Sequence, residues 1–172
     1  MQFQLSQLSL LSVMVCLIAP PVLLCLKHPR LQRAVSILYV LGILYFTVGD
    51  RLIAIAFGTR AFDTVRQLNF SLFWSYAKFD QADIRWQVYM NVFLFIPFGF
   101  MLPWCSSKLQ RFWKVLLIAA ALSALTEAAQ YFLRIGLCET DDVIHNTLGA
   151  VIGYGYWRLL CRVQTHFRGD RK

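Results

Sequence analysis

Five stretches of this chain are apolar over nearly the length of a membrane-crossing helix: 8–26, 34–57, 88–104, 112–133 and 143–161. A hydrocarbon core ~30 Å thick takes about 20 helical residues to cross. Inside it no water satisfies backbone N–H and C=O groups, so only helices and closed barrels span. Barrel strands would show recurring alternation of apolar and polar residues over short segments, and these runs are too long and too uniformly apolar for that. The expected fold is all-α: a polytopic membrane helical bundle of about five transmembrane helices, forming one integral membrane domain over residues 1–172. Composition points the same way, with 58% hydrophobic and only 15% charged residues, against ~25% charged in an ordinary soluble domain.

The first run, LSLLSVMVCLIAPPVLLCL, has no basic residue before it and no small-residue cleavage pattern at its end. It reads as a retained span, kinked by Pro20-Pro21, rather than a removed signal. The second is short unless its helix continues through Asp50-Arg51 to Phe57, which is the expectation. Between the second and third runs, 58–86 includes QLNFSLFWSYAKF, whose aromatic and polar residues suit an interfacial amphipathic segment or a re-entrant one. The five cysteines, Cys16, Cys25, Cys105, Cys138 and Cys161, are odd in number and form no CxxC pair. Neither a disulfide framework nor a structural metal follows, and no cofactor is expected.

Basic residues set the orientation. With the N-terminus outside, the cytoplasmic segments hold Lys27, Arg30, Arg33, Lys108, Arg111, Lys114, Arg158, Arg162, Arg168, Arg171 and Lys172, eleven of the seventeen Lys and Arg. The positive-inside rule therefore favours an outer N-terminus and a cytoplasmic C-terminus. The net charge of +8 then concentrates where anionic headgroups lie, so membrane lipid is the expected partner and nucleic acid is not.

This orientation gives several polar residues one depth. Asn91 begins an inward-running helix, Glu127 and Gln130 end an outward-running one, and Asp142, His145 and Asn146 begin the last. Spacings of three, four and seven put Glu127, Gln130, Tyr131 and Arg134 on one helical stripe, and Asp142, His145, Asn146, Gly149 and Gly153 on another. A charge at the helix centre costs roughly 2.5–3.5 kcal/mol on insertion scales, so Glu127 is expected to face the bundle interior or a wet cavity. Arg134 and the positive end of the last helix are its expected stabilisers. Simpler accounts exist for each residue. Glu127 and Gln130 serve equally as interhelical hydrogen-bonding glue, and Gly149 and Gly153 as a close-packing motif. Pro97 with Gly99 marks a bent helix, and Asp142 and Asn146 suit a helix start. A metal site built on His145 with Glu139, Asp141 and Asp142 is disfavoured, since a surface loop rich in acids looks the same.

Three blocks in order, NVFLFIPFG (91–99), EAAQ (127–130) and CETDDVIHNTLGAVIGY (138–154), resemble the VanZ-like family of bacterial membrane proteins. The resemblance covers residues 91–154 well and the first ninety only in layout. It implies a small helical membrane protein, and an association of its best-known member with low-level resistance to the glycopeptide teicoplanin. It brings no catalytic residue. The positions it marks are Asn91, Pro97, Gly99, Glu127, Gln130, Asp142, Asn146 and Gly149. One departure concerns an arginine that many members carry shortly before the Asp pair; here that stretch reads GLCET (136–140), and Arg134 is the shifted candidate. Asn69 in LNFSLF resembles a family Asn-x-x-Pro-Phe segment without its proline.

The first functional expectation is a cell-envelope protein whose cluster of Asn91, Glu127, Gln130, Asp142, His145 and Asn146 meets the polar part of an amphiphile at the outer leaflet. A lipid-linked cell-wall precursor and a lipoglycopeptide are such amphiphiles. The alternatives are an enzyme acting on a lipid-linked substrate, with Glu127 or Asp142 as base and His145 as acid, or a structural partner of another envelope protein. The chain shows no complete catalytic motif: no nucleophile elbow, no HExxH and no phosphate-binding glycine loop.

Overall fold

The computed structural model describes residues 28–72 and 81–169; the expected span over 8–26, with Cys16 and Cys25, lies outside them. Within them the chain is all-α apart from one two-residue ladder. Helix α1 (Pro29–Leu44) passes through a π-helical turn (Tyr45–Gly49) into α2 (Asp50–Ala56), so one helical rod runs through Asp50 and Arg51. Pro29 occupies the first turn of α1, where its fixed φ and missing N–H cost nothing. Helix α3 (Gln81–Cys105) follows, then α4 (Phe112–Leu133) and α5 (Thr140–Gly169).

Three helical segments, Pro29–Ala56, Arg85–Cys105 and Phe112–Leu133, are long and apolar enough to cross a membrane. The expected span over 143–161 falls within α5. With 30 residues that helix is ~45 Å long, but His145, Asn146, Arg158 and several glycines and tyrosines within 143–161 keep it less apolar than the other three. The outer surface of the bundle is greasy: Leu38, Phe46, Trp113, Leu117, Leu125 and Phe132 are all exposed. Helices apolar on inner and outer faces alike suit a hydrocarbon surround.

Packing is closest between α3 and α5. A Cβ on Gly149 would strike the Val92 carbonyl, one on Gly153 the Ile96 carbonyl, and one on Gly99 the backbone of Ala150. Numbers rise together along both helices, so α3 and α5 run parallel with their backbones in contact, as small residues at a membrane interface permit. Pro97 and Pro103, both fully buried, lie within α3. Phe95, Phe98, Ala119, Ala150 and Ile43 form one buried cluster, and Phe100, Met101, Val115, Tyr154 and Trp157 a second, toward the other end. The Tyr39 hydroxyl donates to the Leu94 carbonyl at 2.8 Å and ties α1 to α3.

The described part of 58–86 up to Ser71-Leu72 is extended chain and turn rather than helix. Its strand β1 (Leu68–Asn69) pairs in parallel with β2 (Cys138–Glu139) in the α4–α5 linker, Leu68 opposite Cys138 and Asn69 opposite Glu139. Two further backbone bonds, Cys138 N–H to Gln67 O at 3.1 Å and Asp63 N–H to Arg134 O at 2.8 Å, fasten the segment to that linker.

Candidate functional site

The end of the bundle where α2 and α4 finish and α3 and α5 begin is polar. On α4 and in the linker after it, Ser123, Thr126, Glu127, Gln130 and Glu139 are buried; on α5, Asp141, His145 and Asn146 are buried. The register between α4 and α5 is fixed by two bonds. Asn146 Nδ2 donates to Ser123 Oγ at 2.8 Å, and the Glu139 backbone N–H donates to Glu127 Oε2 at 3.0 Å. One number rises as the other falls, so the helices are antiparallel. Glu127 is one turn above Ser123, and Asp142 one turn above Asn146; that register sets Glu127 and Asp142 at the same height across the seam.

The bond at Glu139 explains how a carboxylate is held within the apolar run of α4. The residue before α5 would otherwise bury an unbonded N–H at a helix start, and Glu127 caps it from the neighbouring helix. Its side chain is 4% exposed.

Arg134 does not take the role expected of it. It ends α4 in the left-handed region at φ 57, with the Ile135 N–H bonded back to the Gln130 carbonyl at 3.0 Å. That turn breaks helical spacing, so Arg134 leaves the Glu127–Gln130 stripe and is exposed. Arg51, from α2, comes in instead. Its Nη1 donates to Gln130 Oε1 at 2.9 Å and to the Ile135 carbonyl at 3.3 Å, and Arg60 Nη2 donates to the same carbonyl at 2.9 Å. Gln130 Nε2 in turn donates to the Thr47 carbonyl in the π-helical turn at 3.1 Å. Gly136 leaves the space that the Arg51 guanidinium fills; a Cβ there would push that side-chain end aside.

The rim joins Gln87, which the sequence does not single out, to Asn69 of the LNFSLF segment. Gln87, exposed on α3, donates through Nε2 to Glu139 Oε2 at 3.1 Å and to both Asp142 oxygens at 3.1 and 3.3 Å. Asn69 Nδ2 reaches Glu139 Oε1 at 3.4 Å, and its Oδ1 accepts from the Ser71 N–H at 3.0 Å. Arg51 carried the one readable signal among these, an ionisable residue within an otherwise apolar run. Gln87 and Ser123 carried none, since a lone amide or hydroxyl near a helix end is ordinary.

Of the expected cluster, Glu127, Gln130, Asp142, His145 and Asn146 all lie on the α4–α5 seam at this end, with Asp141 and Glu139 within electrostatic reach of His145. Asn91 sits beside Val92, whose carbonyl abuts Gly149, and so lies near the Asn146 level on the α3 side. Two amide atoms, Asn91 Nδ2 and Asn146 Oδ1, are buried without a hydrogen-bond partner among the described residues. Among the described residues no group of three or more His, Cys, Asp and Glu has the arrangement of a metal site.

In the linker, burial and the neighbouring Glu127, Asp142 and Glu139 carboxyls push the Cys138 thiol above its ordinary range.

No curated protein and no solved structure matches the chain. A family model, VanZ/LLP1, matches residues 36–161, which runs from within α1 through most of α5 and takes in the glycine-packed contacts of α3 with α5 and every residue of the polar end. By that match, the chain belongs to the VanZ/LLP1 family.

Proposed function

We propose that this protein is a multi-pass protein of the bacterial cell membrane, with five spans, an outer N-terminus and a cytoplasmic C-terminus. Its polar end opens at the outer leaflet and holds the head of an amphiphile, while the apolar helix walls run beside the ligand's lipid part. By occupying or shielding such a ligand, a lipoglycopeptide or a lipid-linked wall precursor, it contributes to tolerance of teicoplanin-type antibiotics.

The observation that supports this reading is the gathering of buried Glu127, Gln130, Glu139, Asp141, His145 and Asn146 at one end of a bundle that is otherwise apolar inside and out. Intramembrane ionisable groups are costly and cluster where polar cargo or ions meet a membrane protein. Pure helix glue needs fewer: the Asn146–Ser123 bond alone ties α4 to α5.

The test is binding to the full-length purified protein, comparing teicoplanin with a glycopeptide that lacks the acyl chain. The expected result is retention of the acylated compound through native mass spectrometry, weakened in Asp142→Ala. Equal failure of both compounds to bind counts against the reading. A bound amphiphile released with altered mass would favour the enzyme alternative, with Glu127 or Asp142 as base and His145 as acid.

A further inference from the structure

Hydrogen-bonding capacity at the polar end is lopsided along the linker that joins α4 to α5. At the Glu139 end, carboxyls gather: those of Glu127, Glu139, Asp141 and Asp142, with Gln87 Nε2 shared between Glu139 and Asp142, Asn69 Nδ2 on Glu139 Oε1 and the Glu139 N–H on Glu127 Oε2. Below Asp142, one turn down α5, Asn146 Oδ1 is an acceptor with no partner among the described residues, on a side chain only 3% exposed. Its other amide atom is held by Ser123 on α4, so the side chain lies at the α4–α5 seam, one turn below the level of Glu127 and Asp142. A buried acceptor without a donor costs roughly 1–3 kcal/mol, and a group bringing N–H donors and positive charge would remove that cost.

At the Ile135 end the balance reverses. The guanidinium groups of Arg51 and Arg60 converge on one carbonyl oxygen. Among the described residues, the protein bonds to Arg51 use only Nη1, and the one to Arg60 only Nη2, out of five N–H donors on each guanidinium. Two guanidinium forks around one point match an anionic oxygen cluster such as a phosphate. Ile135 and Glu139 are four residues apart, at most ~14 Å of extended chain. The positive and negative ends therefore lie within reach of a single headgroup, and exposed Arg60 and Gln87 mark the open side.

Resting on the proposed role in holding an amphiphile's head, we infer that the head is zwitterionic, a phosphodiester lying against Arg51 and Arg60 and a primary ammonium lying among Asp142, Glu139 and Asn146 Oδ1. The lipid of that chemistry is an aminophospholipid of the phosphatidylethanolamine type. A trimethylated ammonium has no N–H to give Asn146 or the carboxylates, and a glycerol head has no charge to give them.

The experiment reconstitutes the full-length protein in nanodiscs of equimolar phosphatidylethanolamine, phosphatidylcholine and phosphatidylglycerol, then ejects it into a mass spectrometer and weighs the lipids it keeps. Phosphatidylethanolamine should be retained over each of the other two by about tenfold, equivalent to ~1.4 kcal/mol. Asp142→Asn should erase the preference over phosphatidylcholine and phosphatidylglycerol. Arg60→Gln, at an exposed site, should lower retention of all three. Equal retention of the three lipids by the wild-type protein, or a preference for phosphatidylglycerol, overturns the zwitterion inference. If teicoplanin still binds in that case, the amphiphile reading survives; if neither lipid nor teicoplanin is held, both fall.

Discussion

Glu127 Oε2 accepts a hydrogen bond from the backbone N–H of Glu139 at 3.0 Å, so a side chain of α4 caps the start of α5. The two residues are buried and twelve apart in sequence, and the bond closes the linker between them. Removing the acceptor leaves a buried N–H unbonded, a cost of about 1–3 kcal/mol. Glu127→Ala should lower thermal stability in detergent by that order. Glu127→Gln keeps an oxygen in place and should lose less than ~1 kcal/mol, with the two variants compared in one melting series. Equal losses would mean that the cap is not what Glu127 contributes.

The α3–α5 contact makes a sharper prediction. Adding a methyl group at Gly149 or Gly153 drives it into a carbonyl of α3, so Gly149→Ala and Gly153→Ala should each destabilise by about 1–3 kcal/mol. At Gly42, within α1, an added Cβ would meet nothing within 4 Å among the described residues, and Gly42→Ala should be neutral or stabilising by up to ~1 kcal/mol, since alanine favours a helix. Melting temperatures of the three variants decide it.

Arg134 holds a left-handed conformation at φ 57. For a residue with a Cβ this costs roughly 1–2 kcal/mol, and glycine avoids the clash. Arg134→Gly should therefore raise stability by up to about 1 kcal/mol and leave ligand retention unchanged. Loss of retention would return Arg134 to the site from which its backbone turn removes it.

Cys138 offers a titration. Its thiol is pushed up by burial first and by nearby carboxyls second, and the thiolate is the reactive form. Because the raised value keeps it protonated at neutral pH, alkylation should be slow near pH 7. It should keep accelerating with pH beyond the point, about 8.5, where an ordinary thiol is half ionised. A variant keeping Cys138, with the other four cysteines changed to serine, isolates the rate. A rate that levels off at or below the ordinary range would contradict the buried acidic surroundings.

Much of the layout is legible in the residues because helix length, hydropathy and capping are local properties. The helical rods, the positions of α3 and α4, and the polar character of the α4–α5 ends follow from them. The Arg51–Gln130 pair was not legible: it joins residues 79 apart, and stripe reasoning assigned the neighbouring charge to Arg134 instead. That error has a physical cause, since helical spacing holds only while the helix continues, and α4 ends at Leu133. The β1–β2 ladder escaped for a related reason. Two-residue strands carry no periodicity, and the pairing of Asn69 with Glu139 is set by where the linker lies in space.

The central claim is that the acids and carboxamides of α4, α5 and their linker form an outward-facing vestibule for an amphiphile's head. Its most direct test is labelling of Cys138 alone with a membrane-impermeant maleimide at alkaline pH, on intact cells and on inverted vesicles, with and without excess teicoplanin. The account predicts labelling on intact cells and protection by the antibiotic. Labelling confined to inverted vesicles would contradict it.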